Sequence, residues 1–215
     1  MISGPARGLW VRAAKIDPME MNAPPKIFCV IPAWNEAGNI EAVVKSVKTV
    51  VDKVVLVDDG SEDLTAELAR HEPGVIVLRH MINRGQGASL QTGNEYALKN
   101  GADIIVHFDA DGQFLAEEIP RLSAPVSAGE CDVVFGSRFM GIKSDIPRAK
   151  KYMIYPLARM VNKFFFRIHL TDPQSGFRCL SGGASAMIKI EQDEMAHWSE
   201  ILIKAHKYQF RIKEV

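Results

Sequence analysis

Asp109 and Asp111 stand one residue apart at the end of an apolar run, Ile104-Ile105-Val106-His107-Phe108, where the chain must turn. In an extended segment side chains alternate, so both carboxylates face the same side. Two like charges that close repel unless a cation sits between them, and hard oxygen ligands that leave positions free for phosphate oxygens suit Mg²⁺ or Mn²⁺. Asp-Ala-Asp-Gly is also ordinary chemistry for a solvated turn, so the pair taken alone leaves both readings open.

The elements that must position this pair follow from the chain before it. Lys26–Ile31 is a continuous apolar run, Glu36–Val51 carries helical spacing through Ile40, Val43, Val44, Val47 and Val50, and Lys53–Val57 is apolar again. The alternation continues with a helix from Leu64 to His71, a strand Val75–Leu78, a helix from Ala88 to Asn100 and the strand Ile104–Phe108. Near-continuous Val/Ile strands separated by helices predict a mostly parallel sheet with helices on both faces, an α/β Rossmann-like domain. Ligands of such sheets bind outside the carboxyl ends of the strands. The polar clusters fall at those ends: Pro32-Ala33-Trp34-Asn35-Glu36, Asp58-Asp59-Gly60-Ser61-Glu62-Asp63, Asn83-Arg84-Gly85-Gln86-Gly87 and Asp109-Ala110-Asp111. Each has a structural reading by itself, since Ser61 can cap a helix, Asp58-Asp59-Gly60 can turn and Gly85 and Gly87 can serve backbone geometry. Their common placement is what argues for a site.

Composition sets the bounds. At 215 residues, 47% apolar and 24% charged, the chain suits one domain with a sizeable core. Zero formal charge, from 26 basic and 26 acidic residues, argues against a dedicated nucleic-acid partner. Cys29, Cys131 and Cys179 lie far apart in apolar runs, which predicts reduced core thiols in a cytosolic compartment rather than a disulfide framework or metal knuckle. There is no uncharged apolar stretch of the length that spans a bilayer, and residues 1–25 carry Arg7, Arg12 and Lys15 but no apolar run of the length a secretory signal needs. Residues 1–25 are expected to form a mobile N-terminal extension ending at Pro24-Pro25, and residues 26–215 a single domain.

The ordered motifs resemble the family-2 glycosyltransferases of the GT-A fold, and within them the polyprenyl-phosphate sugar transferases such as dolichol-phosphate mannosyltransferases. The resemblance runs from Val30-Ile31-Pro32-Ala33-Trp34-Asn35-Glu36 through Val57-Asp58-Asp59-Gly60-Ser61, Asn83-Arg84-Gly85 and Asp109-Ala110-Asp111-Gly112-Gln113. It continues through Gly136-Ser137-Arg138-Phe139 and Asp172-Pro173-Gln174-Ser175-Gly176-Phe177-Arg178 to Ile212-Lys213-Glu214-Val215. Trp34 stands where Tyr is commoner in that family, and the chain ends where its members continue with Pro, so a trimmed C-terminus is expected.

The resemblance implies an inverting, metal-dependent transfer of a hexose from a nucleoside-diphosphate sugar, of GDP-mannose or UDP-glucose type, to a polyprenyl phosphate. Pro32, Ala33, Trp34, Glu36 and Ala110 would line the nucleotide-sugar pocket, with Asp58 and Asp59 meeting base and ribose, residue types that suit stacking and acceptance from N–H or hydroxyl. Trp34 would otherwise be a core aromatic. Arg84 would sit near the diphosphate. Asp109, Asp111 and Gln113 match the metal triplet, the ion bridging the phosphates while Asp109 also borders the donor. Ser137, Arg138, Gln174 and Arg178 would hold the acceptor phosphate, and Asp111, Arg138 and Asp172 are the catalytic candidates. A phosphate acceptor, mostly dianionic with a second pKa of about 6, arrives deprotonated, which weakens the need for a general base. Asp172 and Glu200 are the only base candidates in the last third, and Glu200 also reads as structural or solvent-facing. The rival readings are a family-2 transferase acting on a saccharide hydroxyl and a nucleotide-sugar-binding module without turnover.

Charge is unevenly distributed. Between Gly136 and Ile168 there are eight basic residues and one acidic. At about 100° per residue from Pro147, Met153, Leu157, Met160, Val161, Phe164 and Ile168 share one face, and Arg148, Tyr152, Tyr155, Arg159, Lys163 and Arg167 the other. The 147–168 stretch reads as a basic amphipathic helix of the kind that lies in a lipid interface. Its alternative is packing of the apolar face on the protein's own sheet. The expected location is peripheral, on the cytoplasmic face of a membrane.

Overall fold

The computed structural model describes residues 23–137, 170–172 and 175–215. Most of the 1–25 extension, the basic 147–168 stretch, Arg138 and Gln174 lie outside these residues.

Strands β1 (Ile27–Ala33), β2 (Lys53–Asp58), β3 (Val75–Arg79), β4 (Ile104–His107), β5 (Val133–Phe135), β6 (Arg178–Ser181) and β7 (Ile212–Glu214) form one sheet in the order β3-β2-β1-β4-β6-β5-β7. The first four strands are parallel, β6 runs antiparallel to both β4 and β5, and β7 pairs parallel with β5. The helices are α1 (Ile40–Val47), α2 (Thr65–Arg70), α3 (Gln86–Lys99), α4 (Ile119–Ser127), α5 (Gly182–Met187) and α6 (His197–Lys207).

Period-two alternation divides the sheet's side chains between two cores. Cys29, Ile31, Val54, Leu56, Ile104 and Val106 pack with α1 and α4. Phe28, Val30, Val55, Val57 and Ile105 pack with α3, α5 and α6. A strand buried on both faces has no polar side to show, which is why these runs are apolar throughout. The three cysteines are buried free thiols, and burial raises the Cys29 thiol well above its ordinary value. No helix among the described residues is long and apolar enough to cross a membrane.

Helix α1 is shorter than its Glu36–Val51 periodicity. Asn35 takes a left-handed conformation, with φ 55°, and the N–H groups of Glu36 and Ala37 go to Thr65 Oγ1 (2.8 Å) and Asp63 Oδ2 (3.0 Å). Those N–H groups tie the turn ahead of α1 to Asp63 of the β2–α2 loop and to Thr65, the first residue of α2.

Candidate active site at the strand ends

The strand-end clusters are joined to one another by hydrogen bonds. After β1, Asn35 donates its N–H to Ser61 Oγ (2.9 Å) and accepts from the Glu62 N–H through Oδ1 (2.9 Å). After β2, the Asp59 N–H reaches the Ala33 carbonyl (2.8 Å). The Asp59 carboxylate accepts from the N–H groups of Arg84 (3.0 Å) and Gly85 (2.6 Å) and contacts His80 Nδ1 (2.6 Å). Asp58, fully buried, accepts from the Ser61 N–H (3.2 Å), and its other oxygen lies 2.9 Å from Arg79 Nε. The loop opening α3 is therefore held by a side chain from the end of β2.

The first residue of α3 closes the chain of contacts, since Gln86 Nε2 donates to Asp109 Oδ1 at 2.9 Å. Asp109 is half-buried, Ala110 buried, and Asp111 and Gln113 exposed. Asp111 Oδ1 accepts from the Gln113 N–H (3.0 Å), an Asx-type turn around Gly112. Phe108 and Phe114 bracket this turn, and both pack on Phe177, with ring centroids 5.6 and 5.1 Å away. Gly176 lies directly against Asp109, for a Cβ there would stand 2.2 Å from Oδ2. Two carboxylates and an amide at an open turn are hard oxygen donors that suit Mg²⁺ or Mn²⁺. Among the described residues no group of three acidic, His or Cys side chains forms a complete metal cage. Mg²⁺ sites of the phosphate-bridging kind need none, since substrate oxygens and waters complete the shell.

Behind the turn lies a buried polar cluster. Arg178, on β6 opposite His107 of β4, has no exposed surface. Its Nε donates to the Ser175 carbonyl (2.8 Å), the guanidinium lies 5.9 Å from the Phe135 ring centroid, and its terminal nitrogens have no hydrogen-bond partner among the described residues. Burial lowers its pKa to about 10, opposed by the negative charges of Asp109 and Asp172. His107 meets Asn94 Oδ1 through Nε2 (2.9 Å), and burial, then the Arg178 charge, holds it well below the usual histidine value. His197 Nδ1 donates to the Glu194 carbonyl (2.7 Å), and burial depresses its pKa to about 4. On the other side of Arg178, Glu214 accepts from the N–H groups of Thr171 and Asp172 and from Thr171 Oγ1, which also meets Ser137 Oγ (2.6 Å).

The family described as Glycosyl transferase family 2 matches residues 28–189. The chain belongs to that family. Its relatives include the uncharacterized protein MJ1222 of Methanocaldococcus jannaschii, 37% identical over 88% of this chain and 79% of that one. Another is the UDP-N-acetylglucosamine–dolichyl-phosphate N-acetylglucosaminyltransferase of Methanococcus voltae, 31% identical over 88% and 83%. The polyprenol monophosphomannose synthase of Mycolicibacterium smegmatis is 30% identical over 75% and 64%. Among solved structures, glucosyl-3-phosphoglycerate synthase of Mycobacterium tuberculosis, crystallised with Mn²⁺, UDP and glucosyl-3-phosphoglycerate, superposes with a TM-score of 0.70 over 89% of this chain and 69% of that one. At 22% identity that likeness is one of fold, GT-A.

In this family-2 glycosyltransferase, Pro32 and Ala33 lie buried inside β1, whereas Trp34 is 54% exposed and so is no core aromatic. Glu36 is half-buried and Arg84 exposed. Asp59 holds the backbone of Arg84 and Gly85, the next residue, Gln86, holds Asp109, and the Asp58 carboxylate is engaged by Ser61 and Arg79, while Ser137 and Asp172 are joined through Thr171 and Glu214. Arg178 lies under the rim, not on it. Glu200 is a structural residue: its carboxylate accepts from the N–H groups of Glu191 (3.1 Å) and Gln192 (2.9 Å) and pairs with Lys204 Nζ at 2.8 Å. Gln86, Gly176 and Glu214 lie within the strand-end motifs, but only the structure gives them a part, on Asp109 for the first two and on Thr171 and Asp172 for the third.

Proposed function

We propose that this glycosyltransferase moves a hexose from a nucleoside-diphosphate sugar to a polyprenyl phosphate with inversion, using Mg²⁺ or Mn²⁺ at Asp109 and Asp111, with Gln113 beside them. The observation that carries the reading is the two-carboxylate turn at the end of β4, with Asp109 fixed by Gln86 and Gly176 and Asp111 open to solvent. When bound, the ion supplies charge neutralisation to the diphosphate leaving group. The acceptor class is supported by relatives whose names specify dolichyl phosphate, polyprenol monophosphomannose and undecaprenyl phosphate.

On this reading the open Trp34 ring offers a stacking face for the base, Pro32, Ala33, Glu36 and Ala110 shape the donor pocket, and Asp58 and Asp59 underlie base and ribose. Arg84, exposed beside the loop that opens α3, faces the diphosphate. Ser137, Arg138 and Gln174 form the acceptor side, with Asp172 next to them and the buried Arg178 charge beneath. An acceptor phosphate oxygen attacks the anomeric carbon in line, the bond from that carbon to the diphosphate breaks, and the nucleoside diphosphate departs. No proton needs to be removed from a dianionic acceptor, which agrees with the engagement of Glu200 elsewhere. The basic 147–168 stretch holds the enzyme at an anionic membrane surface, each cation adding about 1 kcal/mol there.

The test is product partition. With labelled GDP-mannose or UDP-glucose, Mn²⁺ and a short-chain polyprenyl phosphate, label should move into the organic phase. Label transferred only to water-soluble saccharide contradicts the acceptor assignment.

A further inference from the structure

Glu214 belongs to β7, whose pairing with β5 is made by backbone: Phe135 stands opposite Glu214, Val215 N–H reaches the Phe135 carbonyl (3.0 Å), and Ser137 N–H reaches the Val215 carbonyl (2.8 Å). The strand edge needs nothing from the Glu214 side chain. Its carboxylate instead crosses to the segment that re-enters the site ahead of Gly176. It accepts from the Thr171 N–H at 2.7 and 2.8 Å, from Thr171 Oγ1 at 2.8 Å and from the Asp172 N–H at 2.9 Å. A threonine hydroxyl has one hydrogen, and Glu214 takes it. The 2.6 Å contact between Ser137 Oγ and Thr171 Oγ1 is therefore made with the serine hydrogen.

We infer that Glu214 is a positioning residue for the acceptor side of the active site. One carboxylate fixes the Thr171–Asp172 turn and, through the Thr171 hydroxyl, orients the Ser137 hydroxyl. The inference rests on the proposed function for the meaning of that side, but the clamp itself is a property of the fold. A carboxylate suits the position because all its lone pairs accept. The glutamine isostere turns one end into an NH₂ that meets the Thr171 N–H in either orientation, and the Asp172 N–H as well at the Oε1 place.

The test uses the full chain with Glu214→Gln, Thr171→Val and Thr171→Ser. In Glu214→Gln, hydrogen exchange of the Thr171 and Asp172 amides should quicken about 10-fold or more while α3 is unchanged, the loss of charge-assisted hydrogen bonds being of that size. In the transfer assay the specificity constant for a short-chain polyprenyl phosphate should fall about 10-fold, with the donor KM within roughly 2-fold of wild type. Thr171→Val should show the same split and Thr171→Ser should restore it. A lower melting temperature with unchanged exchange at Thr171 and Asp172 overturns the clamp. An active Glu214→Gln enzyme with unaltered acceptor kinetics overturns the positioning role and leaves the transferase reading intact. A wild type that transfers nothing to lipid phosphate defeats the transferase reading instead, and the exchange measurement still decides the clamp.

Discussion

Gly176 and Asp109, sixty-seven residues apart in the chain, are in contact, so that a methyl group at 176 would lie 2.2 Å from one carboxylate oxygen and 2.6 Å from the other. The Ser175-Gly176-Phe177 segment is thus a wall of the proposed metal seat, and its lack of a side chain is what allows Asp109 to stay on Gln86. Gly176→Ala should push the carboxylate off that bond. The expected result is a loss of about 100-fold or more in kcat with about 1–3 kcal/mol of destabilisation from overpacking. Initial rates beside a thermal melt check it, and full activity would show that Asp109 need not stay where it is.

Asp59 ties the end of β2 to the loop that opens α3. Asp59→Asn replaces an all-acceptor group with one that also donates, facing N–H groups of Arg84 and Gly85 and the His80 ring. Stability should fall by about 1–3 kcal/mol, with weaker donor-nucleotide binding as the Asn83–Gly87 loop loosens. Urea unfolding and nucleotide titration measure the two effects separately.

His197 gives the stability a pH dependence of defined sign. Buried and neutral, with a folded pKa of about 4 against 6.5 in the unfolded chain, it binds its proton more weakly in the native state. Its contribution is fully present above pH 6.5 and is lost as pH falls from 6.5 toward 4, by an amount on the order of 3 kcal/mol. Melting temperature followed across that window should decline, and His197→Gln should decline less steeply.

The basic stretch makes a prediction from sequence. Lys163→Glu with Arg167→Glu reverses two charges on its polar face, so the double variant should sediment less with phosphatidylserine vesicles, by several kcal/mol of binding at about 1 kcal/mol per cation. Unchanged sedimentation would move the membrane contact elsewhere.

The first half of the fold was legible because β1, β2 and β4 are buried on both faces, β3 is half-buried at the sheet edge, and all four read as apolar runs, each followed by a polar cluster. β5, β6 and β7 give no such signal, being three to four residues long, with antiparallel β6 inserted between β4 and β5. The residues that join the clusters were also hidden. Gln86 reaches Asp109 across 23 positions and Thr171 reaches Glu214 across 43, and no local pattern encodes such pairings. Trp34 shows the same limit, since an aromatic at a strand exit gives no sign in sequence of whether it faces core or solvent. Glu200 lies on a helix, and only the structure shows the N–H groups of the preceding loop converging on it.

Calorimetric titration of UDP and GDP with and without Mn²⁺, on wild type and Asp111→Ala, decides whether Asp109 and Asp111 hold a divalent ion for the donor's diphosphate. One nucleotide should bind wild type at least about 10-fold more tightly with Mn²⁺, and Asp111→Ala, folded and with an unchanged melting temperature, should lose that gain. Equal Mn²⁺ enhancement in the variant would contradict that metal assignment.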